Sequence, residues 1–515
     1  MTEIETRGVP PHTYRPVTIF DGVRTSAGRT PNKVAVTETG RSLTYSQLIG
    51  RADRVTAAIK GLGLKPGDHA AMMLPNCLEF IEILGGLVGA GVPPAMISPR
   101  STTAELSYIC DDSEAQVLFV HESLEDRAHE ATLDTVKRII TVGRDYEDWV
   151  GQAQAAPPET RSAEWDVFAL HYTAGTTGRP KGGLVPHRSR VLTMFGMASE
   201  YACFGPDDRG LAATPLYHGG GLVFALAPIF FGGSLEILPK FDPDRMLALI
   251  EDEAITNTMV VPTHFHSIFE LSEKERARHD TSSLRSIVTG GAPLLQPMTE
   301  RVVAYFGDHV LHELYGSTEG GIFTNLRPAD QLRKERCVGL PFPCTEVRLL
   351  DRNGGDVVPG EVGEFFSRSP YHFNGYWRRP EASAEIMRGE WLSVGDMAQQ
   401  DEEGYVYLVD RKKDLILSGG ENIYPQEVES VLNTHPAVVE SAVIGVPDER
   451  WGEVVCACIV KKQGMKLDKT DLINHCSKSL SRSKIPKSVV FLDALPRDGG
   501  MGKVLRRALR EELSG

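Results

Sequence analysis

The chain has 515 residues, with 55 Lys or Arg against 69 Asp or Glu and a formal net charge of −14. That length allows roughly two to four folding units and a core that needs no disulfide or metal staple. Hydrophobic residues at 41% and charged residues at 24% exclude a disordered or fibrous chain, and the acidic balance argues against nucleic acid or an anionic membrane as the main partner.

The eight cysteines are scattered with no CxxC pair, the pattern of reduced thiols in a cytoplasmic protein. The N-terminal stretch has neither a basic n-region nor an apolar h-region, so no signal peptide is expected. The longest apolar run, Leu222 to Pro239, is broken by Pro228, Gly232 and Gly233 and contains Glu236. It is too interrupted for an integral membrane span. Charge is uneven: residues 411–515 hold 17 Lys/Arg and 14 Asp/Glu, net +3, and residues 1–410 carry the remaining −17.

Along the chain, Thr44 to Gln47 forms a capping-box pattern, followed by Leu48, Ala52, Val55 and Ile59 at helical spacing, with Gly61 as the stop. His69 to Leu74 predicts a buried strand. Asn76 is expected to cap a helix carrying Leu78, Ile81 and Leu84. Thr102 to Glu105 is a second capping box, and Val117 to Val120 a second strand. After residue 205, strands are expected at 210–214, 234–238, 257–261, 284–289 and 309–314, with helical patterns between them. This alternation implies a parallel sheet covered on both faces. Residues 337–410 change to strands separated by turn signals at Asn353-Gly354-Gly355 and Glu402-Glu403-Gly404, a small β subdomain. From about 411 an α+β unit follows. Pro425 opens a helix with Val428, Val431 and Leu432, and Val454 to Val460 reads as a buried strand.

Four segments carry chemistry. In Tyr172-Thr-Ala-Gly-Thr-Thr-Gly-Arg-Pro-Lys-Gly182, glycines let the backbone approach an anion, hydroxyls and amides donate, and Lys181 adds charge: a phosphate-binding loop. It is not a Walker A loop, because Arg179-Pro180 separates Gly178 from Lys181. Leu314-Tyr-Gly-Ser-Thr-Glu-Gly320 lies at a strand end, where ligands bind in α/β sheets. There an aromatic ring can stack on a base, Thr318 can bond a phosphate and Glu319 can hold Mg²⁺. Asp396 can accept two ribose hydroxyls and Arg411 can donate to the same sugar. Lys503 sits on a Gly-rich loop near the C-terminus.

In this order and spacing, the motifs TAGTTGRPKG, YGSTEGG, GD, DRKKD…SGGENIYP and GK resemble the family of AMP-forming acyl-CoA synthetases, adenylation domains and beetle luciferases. The likeness runs from about residue 15 to about residue 512. It implies an α/β fold: a large N-terminal domain, residues 1–410, of two α/β subdomains plus a small β-barrel at about 337–410, and a small mobile α+β domain, residues 411–515. The implied activity joins a carboxylic acid to ATP, giving acyl-AMP and pyrophosphate, and then passes the acyl group to the thiol of CoA.

By this resemblance Thr173, Gly175, Thr176, Thr177 and Lys181 would hold the β- and γ-phosphates. Tyr315 would stack on adenine with Gly291 and Ala292 beside it. Thr318 would bond the α-phosphate, Glu319 would bind Mg²⁺, and Asp396 and Arg411 would take the ribose. Lys503 would contact the α-phosphate and the substrate carboxylate. The family hinge corresponds to Lys413. Turning there would withdraw Lys503 and bring Gly419 and Gly420 beside the adenylate, lining a pantetheine tunnel. His218 would gate between acyl pocket and tunnel, Glu421 would hold it open, and Lys240 would lie near the coenzyme phosphates. Leu314, counted with the nucleotide-binding segment, sits where many members have glycine and would narrow another wall. The acyl pocket would be lined by Gly219, Gly220, His264 and Gly316, with His266 and Gly221 nearby. Acetate-type members carry tryptophan at position 316. Glycine there, with the run Gly219 to Gly221, implies room for a medium- or long-chain fatty acid or a cyclic or aromatic acid.

This sequence departs from the family pattern in two places. Pro496-Arg-Asp-Gly-Gly-Met-Gly-Lys503 is one residue longer than usual, and Val394 replaces the usual threonine. The alternative acceptor is a carrier protein. No carrier domain follows residue 512, so such a partner would be separate. Oxygenation of the luciferase type would be another branch, but the C-terminal Leu-Ser-Gly lacks its peroxisomal address. A non-catalytic nucleotide sensor would be expected to lose Lys503, Glu319 or the threonine loop, and all are present.

Overall fold

The computed structural model describes residues 15–155, 162–173, 179–411, 414–418, 421–448, 450–497 and 504–513. They fall into two compact units. The larger comprises residues 1–336, 341–346 and 368–385, and the second comprises 337–340, 347–367 and 386–515. The expected boundary after residue 410 thus lies inside the second unit. The stretch 368–385, expected in the β-barrel, groups with the larger unit.

In the larger unit, β1 (Val34–Glu38) and β2 (Arg41–Thr44) form a hairpin. β3 (His69–Met73), β4 (Pro94–Met96), β5 (Ala115–His121) and β6 (Arg138–Val142) alternate with helices, and β7 (Val167–Thr173) and β8 (Lys181–Pro186) form a second hairpin. β9 (Arg209–Ala212), β10 (Ser234–Ile237), β11 (Asn257–Val260) and β12 (Ser286–Thr289) follow, and β13 (Leu311–Ser317) and β14 (Gly321–Leu326) form a third hairpin.

The strands make two sheets. One runs β6-β5-β3-β4-β7-β8, and the other contains the order β14-β13-β12-β11-β9-β10-β1-β2. Pairings inside each sheet are parallel. The hairpins β1–β2, β7–β8 and β13–β14 are antiparallel and stand at or next to the edges. Strand β3 is buried at all five positions, as expected for a strand covered on both faces. Both capping boxes form: Thr44 with Gln47 opens the helix Tyr45–Gly61, and Thr102 with Glu105 opens the helix Thr103–Asp112. The apolar run from Leu222 becomes the helix Gly219–Phe230, with Pro228 inside it, followed by β10. Among the described residues no helix is long and apolar enough to cross a membrane.

Asn76 differs from its expected role. The helix Leu78–Ala90 starts from Cys77 without a side-chain cap. Its first amide, Leu78 N–H, donates instead to the Glu38 carboxylate of β1 at 2.9 Å. Asn76 reaches from the end of β3 across to the other sheet. Its Nδ2 donates to the carbonyls of Thr214 at 3.0 Å, Leu238 at 3.2 Å and Ala212 at 3.4 Å, and its Oδ1 accepts from Leu216 N–H at 2.8 Å. One buried amide thereby satisfies the strand ends that lead toward His218.

In the second unit, strands Gly363–Arg368, Met387–Arg388, Trp391–Leu392, Asp396–Gln400 and Val406–Arg411 pair antiparallel. The turns at Asn353 and Glu403 form, with Asp351 and Asp401 accepting the turn amides. A further sheet holds Ile416–Ser418, Glu421–Ile423, Val438–Asp448, Gly452–Lys461 and Ser488–Leu492. The helix Pro425–Leu432 has proline in its first turn and buries Val428 and Leu432.

Replacing Asn76 by Ala leaves buried carbonyls and one amide without a partner. This should lower the unfolding free energy by about 3 kcal/mol, read from urea unfolding. Unchanged stability would mean that water satisfies these groups.

Candidate active site

β7 and β8 are register-paired Thr173 to Lys181 and Tyr172 to Gly182. Gly175, Thr176 and Thr177, between them, lie outside the described residues. The base of this loop is anchored on Asp112. Its carboxylate accepts from Tyr172 Oη at 2.9 Å and Arg379 at 2.6 Å, and its carbonyl accepts from Trp377 Nε1 at 3.0 Å. Tyr108 Oη donates to the Pro180 carbonyl at 2.8 Å, and the Arg179 guanidinium lies over the Tyr108 ring.

The β13–β14 turn comes to the same place. Glu319 is 7% exposed, and its Oε1 accepts from Tyr376 Oη at 2.7 Å and from Thr173 Oγ1 at 3.3 Å. The Thr318 carbonyl accepts from Arg190 at 3.0 Å. Thr318 Cγ2 lies 3.4 Å from where a Cβ on Gly183 would stand. Lys181 Nζ sits 5.4 Å from the centroid of the Tyr376 ring. Thr173 and Lys181 of one hairpin and Thr318 and Glu319 of another, distant in sequence, therefore surround one small region, and Tyr376 stands among them. Burial, and then Glu319, pushes the Tyr376 phenol up, so it stays a hydrogen-bond donor at neutral pH.

Tyr315 is buried on β13 with its ring 5.1 Å from Phe323. The next position differs from the expectation of open pocket volume. A Cβ on Gly316 would collide with the Gly321 carbonyl oxygen and approach Ile322 Cα at 3.2 Å. Glycine is required there by the close backbone of β14, so a tryptophan could enter only if the turn moved. Leu314 backs the 290–294 loop: a Cβ on Gly290 would meet Leu314 Cδ1 and its carbonyl at 2.8 Å. Gly291 has φ +83°, and Gly291 and Ala292 are exposed. Leu294 N–H donates to Glu313 at 3.4 Å.

His218 is the residue preceding the helix Gly219–Phe230 and is half-buried. The three glycines after it are not equivalent. A Cβ on Gly219 would approach only the His171 ring, at 3.9 Å, and one on Gly220 would touch the end of Met259 at 3.1 Å. One on Gly221 would strike the Pro215 carbonyl. Gly219 leaves space, Gly220 lies against the flexible end of Met259, and Gly221 serves packing. Burial, then Arg190 and His218, pushes the His171 imidazole down to about 3, and its buried Nε2 has no partner among the described residues. The His264 ring stacks on Phe241 at 3.8 Å, and burial pushes it down to about 4. Lys240 is exposed in the loop after β10.

In the second unit Asp396 and Arg411 are register partners, and Arg411 Nε lies 3.1 Å from Asp396 Oδ1. Asp396 is buried and Arg411 exposed. Lys413, Gly419, Gly420 and Lys503 lie outside the described residues, as does the side chain of Glu421, whose backbone belongs to the strand Glu421–Ile423.

The sequence model of the family described as AMP-binding enzyme matches residues 23–377, and that of its C-terminal domain matches residues 427–500. The chain belongs to the AMP-binding enzyme family. Its relatives include a feruloyl-CoA synthase of Amycolatopsis sp, 37% identical over 492 residues, covering 94% of this chain and 96% of that protein. The fatty acid–[acyl-carrier-protein] ligase ScoC of Streptomyces coeruleorubidus is 34% identical over 94% of each chain. The crystal structure of ATP-bound MatB from Rhodopseudomonas palustris superposes with a TM-score of 0.88 at 31% identity, covering 97% of this chain and 99% of that one.

Several groups at this AMP-binding enzyme's site carry no motif that sequence inspection picks out. Tyr376, Asp112 and Arg190 act through contacts with residues distant in the chain. Glu313 sits two residues before Tyr315 and reads as an ordinary strand residue. Burial pushes its carboxyl up to about 8, opposed by the Leu294 amide. A carboxyl raised in the folded state binds its proton more tightly there than in the unfolded chain. Stability is then present at low pH and lost as pH rises from the ordinary carboxyl range through about 8. Glu313→Gln keeps an acceptor for Leu294 and cannot ionise. Its melting temperature relative to the parent should therefore rise between about pH 5 and about pH 8.5. A pH-independent difference would show that Glu313 ionises normally.

Proposed function

We propose that the protein is an AMP-forming carboxylate–CoA ligase that activates an apolar acid, medium- or long-chain, cyclic or aromatic. A substrate carboxylate oxygen attacks the α-phosphorus of ATP, and the bond from that phosphorus to the pyrophosphate oxygen breaks. The thiol of CoA then gives its proton to solvent and attacks the acyl carbonyl, and AMP leaves. The carboxylate is already a nucleophile, so the barrier lies in bringing two anions together and stabilising charge on phosphorus.

The observation that carries this reading is the convergence of Thr173, Lys181, Thr318 and Glu319 on one region, in a chain that the family matches over both its parts. Thr173 and Lys181, with Gly175, Thr176 and Thr177, hold the β- and γ-phosphates. Thr318 bonds the α-phosphate. Tyr315 faces adenine beside Gly291 and Ala292, and Asp396 and Arg411 take the ribose. Glu319 fits a divalent cation, because Oε2 accepts no hydrogen bond among the described residues while Oε1 is held by two hydroxyls. Mg²⁺ bound there would offset charge on the phosphates. On this reading Lys503 serves the first half-reaction, Lys413 is the hinge residue, and Gly419, Gly420, Glu421, His218 and Lys240 serve the second. The space beside Gly219 supports an acid larger than acetate, and the relative named a feruloyl-CoA synthase supports an aromatic one. The unpaired thiols fit a reducing compartment such as the cytoplasm.

A second acceptor has support of its own, since one relative is named a fatty acid–[acyl-carrier-protein] ligase. Acid-dependent pyrophosphate exchange across a panel of carboxylic acids, followed by transfer to CoA or to a purified carrier protein, decides between them. Exchange with no acid on the panel would defeat both.

Lys503→Ala should abolish adenylate formation yet spare thioester formation from preformed acyl-AMP. Equal loss of both half-reactions would remove Lys503 from the first step. Lys413→Pro, which fixes φ at the hinge, should keep pyrophosphate exchange and lose transfer to CoA. Normal overall turnover would move the hinge elsewhere.

A further inference from the structure

We propose that Tyr376 is a positioning residue that holds Glu319 with one carboxylate oxygen free and keeps the Lys181 ammonium from pairing with that carboxylate. The inference rests on the roles given above to Glu319 and Lys181, facing cation and phosphate.

Tyr376 is held on several sides. Its backbone bridges Gly183 of β8, its N–H donates to Ser383 Oγ at 2.8 Å, and the next amide, Trp377 N–H, donates to the Gly182 carbonyl at 2.8 Å. The same segment grips Glu319 by its backbone, through Phe373 N–H to the Glu319 carbonyl at 2.8 Å. From this mount the phenol donates to Glu319 Oε1 at 2.7 Å, and Thr173 Oγ1 adds a bond to the same oxygen at 3.3 Å. Both donors are neutral, so neither forms an ion pair with the carboxylate. Oε2 accepts no hydrogen bond among the described residues, which leaves one oxygen for a further partner.

The ring has a second task. Lys181 pairs in register with Thr173, which itself touches Glu319, so the ammonium and the carboxylate lie in one neighbourhood. They form no ion pair. Lys181 Nζ rests over the face of the Tyr376 ring, 5.4 Å from its centroid, while Glu319 binds the hydroxyl at the ring edge. A direct Lys181–Glu319 pair would neutralise both groups and would have to be broken before either met a ligand. The face of an aromatic ring attracts a cation without neutralising it, so the lysine is parked rather than spent.

Two variants separate the tasks, read by calorimetric titration of ATP into the full-length protein with Mg²⁺ and, separately, with EDTA. Tyr376→Phe keeps the ring and removes the hydroxyl. The gain in ATP affinity produced by Mg²⁺ should shrink ~tenfold, the effect of losing a hydrogen bond to a charged group, with affinity in EDTA unchanged. Tyr376→Leu removes the ring as well, so Lys181 falls onto Glu319 and affinity in EDTA should also drop several-fold. A Tyr376→Phe protein with the parental Mg²⁺ gain, or one that loses affinity equally in both arms, overturns the proposal. Undiminished affinity in EDTA for Tyr376→Leu overturns the spacer role. Absence of ATP binding by the parent in both arms would defeat the functional reading itself. Near-ultraviolet circular dichroism establishes that each variant is folded, and Tyr376→Phe alone decides the hydroxyl's role if Tyr376→Leu is not.

Discussion

The frame of the site depends on a buried cation satisfied by carbonyl groups. Arg190, 4% exposed, stands in the first turn of the helix His187–Tyr201, directly after β8. Its guanidinium donates to the Thr318 carbonyl at 3.0 Å, to the Tyr371 carbonyl at 3.5 Å and to Ser189 Oγ at 3.2 Å. Three pieces of chain are joined at that point: the helix after the phosphate-loop hairpin, the turn that carries Glu319, and the segment that carries Tyr376. Burial pulls Arg190 down to about 10, with Glu319 opposing, so it remains charged at neutral pH. A guanidinium suits this position because its planar fork reaches several carbonyls at once and keeps its charge when desolvated.

Around this frame the two sheets contribute in the same way. Each is parallel inside and finishes with an antiparallel hairpin, β7–β8 in one and β13–β14 in the other. Parallel strands present their carboxyl ends to one side, where ligands gather. The hairpins extend that side into turns, one bearing Thr173 and Lys181 and the other Thr318 and Glu319. Asn76 ties the sheets together a short distance away, so the residues leading to His218 are fixed by the same junction.

Local features were legible in the sequence because their physics is local. Capping boxes at Thr44 and Thr102 need only three residues to close, and buried parallel strands announce themselves as apolar runs. The motif residues were legible through resemblance. The remainder rests on contacts made across long stretches of chain. Asn76 looked like a helix cap, and its actual partners, up to 162 residues away, leave no local signal. Tyr376 lies 57 residues beyond Glu319 and reaches it by a route that no periodicity describes. Gly316 shows the opposite hazard. A missing side chain suggested volume, but the space belongs to the backbone of β14.

β8 is an edge strand, and its outer rim is covered by the segment that carries Tyr376. Leu184 N–H donates to the Gly375 carbonyl, Asn374 N–H to the Leu184 carbonyl and Trp377 N–H to the Gly182 carbonyl. An uncovered rim of this kind is a template for strand addition by another chain. One short piece of polypeptide therefore aims a phenol inward and seals the sheet against aggregation outward. A single-residue insertion or deletion between Asn374 and Trp377 would undo both at once, uncovering the rim of β8 as it pulls the phenol away from Glu319.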